Sequence, residues 1–189
     1  MKQSRAIIII ILIMLLSGTA SIHAQGFVPP SDSTSAVYFT RISSMGFAVN
    51  FKFFHNDVFI GKFKGKNYMR YECSSGEQLF WASSERKAFI TADLEPGKIY
   101  IMIVVPEMGA MSAAVALYPP DYPKDRKKAI GLVMKKEPQY TDEAIIIEEN
   151  NALKEYIAEQ LKRYESKVSK GVSYPHISSD MFVQDEEMK

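Results

Sequence analysis

Residues 55–81 read HNDVFIGKFKGKNYMRYECSSGEQLFW, and the way these side chains sort decides the fold. Lys62, Lys64, Lys66 and Arg70 are strung between aromatics, ahead of the chain's single cysteine, Cys73, and its single tryptophan, Trp81. Successive side chains of an extended strand point to opposite faces. Over 58–63 that alternation sets Ile60, Lys62 and Lys64 against Phe59, Gly61 and Phe63. Past the KGKN turn it sets Tyr68, Arg70 and Glu72 against Met69, Tyr71 and Cys73. The cations therefore belong to the outward side of a β-hairpin, with Cys73 and Trp81 in the core beneath it. Gly61 marks a place for a bulge, because an interior strand glycine has no side chain to pack.

The same grammar extends in both directions. Residues 36–42 (AVYFTRI), 47–54 (FAVNFKFF), 58–63, 68–73, 78–83 (QLFWAS), 88–94 (AFITADL), 99–105 (IYIMIVV) and 112–118 (SAAVALY) are β-branched or aromatic and stop at turn residues. Asn56-Asp57 suits a tight turn, and EPGK at 95–98 supplies a proline with fixed φ and a glycine for positive φ. Residues 99–105 are apolar at every position, as in a strand covered on both faces, which makes this the central strand. The fold class that follows is mainly β: a seven- to eight-stranded antiparallel β-sandwich over 36–120, with a C-terminal α-helix.

Beyond the sandwich, 121–140 reads as a loop, with AIGLVM at 129–134 as a candidate extra strand. From 141 to 170 the pattern is helical: Leu153, Ile157, Leu161, Tyr164 and Val168 recur at steps of four, four, three and four, forming one face. Thr141 is placed to cap the start, and Gly171 to end it. Asn150-Asn151 is the weak point, with a helix starting there and AIIIE as a strand the alternative. Residues 171–189 read as a loose tail.

At the other end, Lys2 and Arg5 precede the unbroken apolar run 6–16, too short for a span of about 20 residues. Small and polar residues follow to Ala24, the layout of a secretory signal peptide over 1–24. Cleavage is placed after Ala24; cleavage after Ala20 and an uncleaved anchor are the alternatives. A proline- and serine-rich lead-in, 25–35, reads as flexible. No cysteine follows the apolar run, so membrane association through a lipidated cysteine is excluded and the chain is not expected to be a lipoprotein. The expected location is the periplasm or cell envelope.

Without Lys2 and Arg5 the net charge of +1 becomes −1, which argues against a nucleic-acid partner. One cysteine allows no internal disulfide, so stability must come from packing. His55 and His176 are the histidines left after the signal, and neither has a partner at a telling spacing for catalysis or metal binding. Glu148-Glu149 and Glu186-Glu187 read as solvated faces. No cofactor is expected.

Residues 37–117 resemble the domain-of-unknown-function 2846 family of small exported bacterial domains. The likeness is carried by VYFTR, by VFIGKF at 58–63, by the SSGE turn at 74–77 and by LEPGKIYIMIVVPEMG at 94–109. Three positions depart from the family pattern: HND replaces its Asp-Gly turn, Ser75 its proline, and Ile101 the second of its paired tyrosines. The resemblance implies a cell-envelope β-sandwich with no catalytic residues to carry over. The HAQG ending of the signal is similar to those of Bacteroidetes exports.

Two surfaces stand out. Tyr68, Arg70, Tyr71, Trp81 and Tyr100 form the candidate ligand platform, with the neighbouring lysines as an anion-binding stripe. Leu153, Ile157, Leu161 and Tyr164 form a helix face that packs on the sandwich, on an envelope protein or on a second copy. The reading is an exported, non-catalytic module with a structural or protein-interaction role. Glycan or lipid binding is the rival.

Overall fold

The computed structural model describes residues 26–109 and 113–188. The signal segment 1–24 and the first residue of the eighth predicted strand lie outside these residues. Among the described residues, nine strands and two α-helices follow in the order β1 (Thr34–Thr40), β2 (Phe51–His55), β3 (Val58–Phe63), β4 (Tyr68–Ser74), β5 (Gly76–Ser83), β6 (Lys87–Leu94), β7 (Ile99–Met108), β8 (Ala113–Tyr118), α1 (Pro123–Val133), α2 (Glu143–Val168) and β9 (His176–Ile177). The strands form two sheets, β4-β1-β7-β8 and β3-β2-β5-β6-β9. The fold is the expected mainly-β sandwich.

The sheets are mixed rather than antiparallel. β1 runs parallel to β7, with Ala36 opposite Ile99 and Thr40 opposite Ile103, and β9 runs parallel to β6. Side-chain alternation is the same for either direction, so the pattern that predicted the strands could not show it.

Three apolar layers follow. The inner faces meet in a core that includes Val37, Phe39, Phe53, Phe80, Ile90, Tyr100 and Met102. The outer face of the first sheet, with Tyr38, Tyr68, Ile99 and Ile101, is covered by Ala129, Leu132 and Val133 of α1. The outer face of the second, with Phe54, Phe59, Trp81 and Phe89, is covered by α2 through Ile157 and its neighbours. Over 99–105 β7 is apolar at every position because its odd positions meet α1 and its even ones meet the opposite sheet.

Three expectations are corrected by this arrangement. Residues 129–134 are helical, within and just past α1, because Ala129, Leu132 and Val133 at steps of three and one make a helix stripe and Pro123 opens the first turn. By contrast, α2 keeps to the helical reading of 141–170 and runs unbroken through Asn150 and Asn151, which excludes the alternative of a strand followed by a helix. The tail is ordered: Ile177 and Val183 are buried, the Val183 amide donates to the Ile99 carbonyl (2.7 Å), and Arg126 of α1 holds Glu187 through two hydrogen bonds of 2.8 and 2.7 Å. The lead-in is pinned as well, since the Val28 amide donates to the Tyr38 hydroxyl at 2.7 Å and the Ser31 amide to Glu72 at 2.9 Å.

The opening hairpin carries the expected bulge. Phe54 pairs with Phe59 and Phe53 with Gly61, leaving Ile60 as the extra residue. The bulge reverses the alternation, so Phe59 and Lys62 share the outer face while Ile60 and Phe63 enter the inner core. Gly61 has φ +150°, and a Cβ there would stand 2.7 Å from the Met69 sulfur.

Candidate functional site

The outward lysines of the hairpin are not a free stripe. Lys52 and Lys62 are cross-strand neighbours, and both reach Glu149 of α2, at 2.7 and 3.0 Å. Glu149 is thus a clasp between helix and sheet rather than a solvated charge. Hydrogen bonding to Lys52 leads the causes that hold its carboxyl below the ordinary range. Beside it, the Asn150 amide accepts from the Phe59 amide (2.8 Å) and donates to the Phe59 carbonyl (2.9 Å). The Thr141 hydroxyl likewise accepts from the Lys62 amide at 2.9 Å. Together they satisfy the outer edge of β3 as a neighbouring strand would. Thr141 therefore serves the sheet edge, and Asp142 occupies the N-cap position of α2 without a side-chain cap.

The candidate ligand platform is divided among layers. Tyr68 is buried under α1, stacked on Tyr38, with its hydroxyl donating to the Lys136 carbonyl at 3.0 Å. Arg70 shares that side of β4 and binds the Val28 carbonyl (3.3 Å) and Glu72 (2.7 Å). Tyr100 lies in the inner core, accepting from the Glu95 amide and donating to the Ser179 carbonyl, both at 2.9 Å. Trp81 lies beneath α2, stacked on Phe54 at 3.7 Å, with its indole N–H donating to the Asn56 carbonyl. They lie in three different layers, because neighbours along a strand face opposite sides of the sheet.

Tyr71 closes one end of the sandwich with His55. The Gln78 side-chain nitrogen donates to the Ser74 and Ser75 carbonyls, which turns its oxygen toward His55 Nε2 at 2.6 Å. Nε2 is thus placed to donate to the Gln78 oxygen, and Nδ1 lies 3.1 Å from the Tyr71 hydroxyl. Burial pushes Tyr71 up to about 12 and the nearby Cys73 thiol up to about 12. His55 ends β2 and bridges the two sheets, stacked on Phe80 at 4.9 Å. At the opposite rim of the second sheet, His176 Nδ1 lies 2.9 Å from the Thr91 hydroxyl and Nε2 lies 3.4 Å from Asp93. Among the described residues, no three His, Cys, Asp or Glu side chains group as metal ligands.

Leu153, Ile157, Leu161 and Tyr164 do come together, all against the aromatic outer face of the second sheet. That face is packed within the molecule, so it is not the open surface that a partner helix requires.

The positive charge instead gathers at two grooves, neither legible as a motif. The first, about 760 Å³, lies between the last turns of α2 and the β5–β6 turn. Arg86, Lys87, Lys162, Arg163, Lys167 and Lys170 rim it, with Phe89 and Tyr164 among its lining. Phe89, Tyr164 and Tyr174 form an aromatic cluster there, with ring centroids 5.0–5.6 Å apart. Glu159, the carboxylate on this rim, is held by Arg163 one helical turn away. The second groove, about 670 Å³, follows α1.

Comparison with protein-family models, curated proteins and solved structures gave no match. Among the described residues, no helix is long and apolar enough to cross a membrane.

Proposed function

We propose that the protein is an exported, non-catalytic module of the cell envelope that binds an acidic glycan in the groove between α2 and the β5–β6 turn. The resemblance to the domain-of-unknown-function 2846 family belongs to this reading and rests on the sequence signatures alone. The observation that supports it is the convergence of Lys87, Lys162, Lys167 and Lys170 around Phe89 and Tyr164, beside Arg86 and Arg163, which are paired with Glu107 and Glu159. Arginine and lysine heads attract carboxylate or sulfate groups, and an aromatic face supports the apolar side of a sugar ring. The helix contributes a further requirement. Lys162, Lys167 and Lys170 stand near its C-terminal end, where the dipole favours cations, so the groove keeps its charge.

Polygalacturonate and neutral dextran, titrated against the mature chain, test the reading. Polygalacturonate binds with an affinity that falls as salt rises, and dextran does not bind. Replacing Lys162 and Lys167 by Glu weakens the acidic glycan by about tenfold or more, at roughly 1.4 kcal/mol per tenfold. Equal binding of both polymers, or of both proteins, removes the proposal.

A further inference from the structure

We infer that the lysine groove of α1, with the adjoining loop that carries Phe47, is a docking surface for an anionic lipid bilayer. Lys124 and Lys127 on α1 and Lys135 just past its end are exposed and line one groove. Lys66 and Lys136 complete the groove, and the Lys136 ammonium is held on the Lys66 carbonyl at 2.7 Å. Among the described residues lining it there is no carboxylate, and Lys128 alone of its lysines is in an ion pair, with Asp125. Gly131 lies in the middle of the groove, and a Cβ there would meet nothing within 4 Å, so a broad surface can approach the helix closely.

The apolar part lies next to it. Phe47 is 71% exposed and Met45 48% exposed, on the turn between β1 and β2. This turn is held outward from behind. The fully buried Arg41 guanidinium donates to the Met45 and Gly46 carbonyls at 2.6 Å and to the Val49 carbonyl at 3.0 Å, over the Phe51 ring. No carboxylate among the described residues neutralises it. The Phe47 carbonyl lies 3.8 Å from where a Cβ on Gly65 would be, and the next residue, Lys66, lines the groove. A preorganised aromatic beside a field of lysines matches the two halves of an interfacial membrane contact, an apolar body and a cationic rim.

Charge complementarity gives the occupant: a groove lined by lysines, with no carboxylate among its described lining residues, fits the surface of an anionic bilayer. This inference is independent of glycan binding at the other groove.

Cosedimentation of the mature chain with vesicles provides the test. Vesicles of phosphatidylcholine mixed with phosphatidylglycerol bind it in low salt, and pure phosphatidylcholine does not. Replacing Lys124, Lys127 and Lys135 together by Gln lowers vesicle affinity about a hundredfold, at roughly fivefold per lysine near an anionic surface. Phe47→Ser lowers it about tenfold without changing the salt dependence. These side chains are exposed, so the variants melt as the parent does. The Lys162→Glu, Lys167→Glu protein loses polygalacturonate and keeps vesicle binding, which separates the two grooves. Equal binding to neutral vesicles, an unaffected triple variant, or full competition by free inorganic phosphate would each overturn the inference.

Discussion

Glu72 fastens the lead-in to the sandwich, and removing its charge should cost a predictable amount. Its carboxylate accepts from the Ser31 amide and hydroxyl, both at 2.9 Å, from the Thr34 hydroxyl, and from Arg70 at 2.7 Å. These donors, the Ser31 amide first, lower its pKa from 4.5 to about 2. At 1.36 kcal/mol per pH unit the ceiling is about 3 kcal/mol. The side chain is 31% exposed, so solvent screening reduces the stabilisation to about 1–2 kcal/mol. Glu72→Gln keeps an acceptor but loses the charge. With an m-value of about 2 kcal/mol/M, its urea midpoint at neutral pH should fall by about 0.5–1 M. The folded pKa is the depressed one, so the contribution is complete above 4.5 and is lost as pH falls through about 2. Near pH 3 the gap between parent and variant should be less than half its neutral value. Glu149 and Glu187 are also lowered, so the difference between the two proteins is the quantity to follow. A gap of the same size at both pH values would refute the reasoning.

The other predictions concern packing. Cys73 is buried, with its thiol pushed up to about 12, so maleimide should label it only in denaturant; labelling of the native protein would contradict its placement. Cutting the chain after Gln139 strips α2 from the second sheet, so Trp81 fluorescence should shift to the red and the fragment should lose cooperative unfolding. Unchanged emission would mean that α2 does not cover the tryptophan. Gly61→Ala should lower stability by about 1–3 kcal/mol, from the positive φ and the close Met69 sulfur, measured by urea denaturation. Arg41→Met leaves the Met45, Gly46 and Val49 carbonyls without their donor and should destabilise by about 2–4 kcal/mol, with proteolysis appearing first in the 43–50 turn.

How far the sequence could be read follows from the range of each interaction. Alternation in 68–73 placed Tyr68 and Arg70 opposite Met69 and Cys73, and the structure keeps that division, because facing is a property of one strand. The Lys62 side chain was legible as facing away from the core, but the Glu149 clasp that covers it joins residues 87 apart. Its carboxylate sits in an ordinary Glu-Glu pair and carries no signal of its own. Asn150 looked like a helix breaker for the same reason: its value lies in mimicking a strand for Phe59, 91 residues away. The cationic grooves were hidden too, since Arg86 and Lys87 meet Lys162 and Lys167 only after α2 folds back across the sheet.

By itself the sequence determined which segments are extended, where the turns with positive φ fall and which side of the long helix is apolar. Propensity, alternation and helical period act within a few residues and need no partner. Tertiary structure alone decided the parallel pairing of β1 with β7, the helical state of 129–133, the ordering of the tail, and the convergence of charge into grooves. Each depends on which distant surface a segment meets, and local side-chain pattern holds no information about that surface.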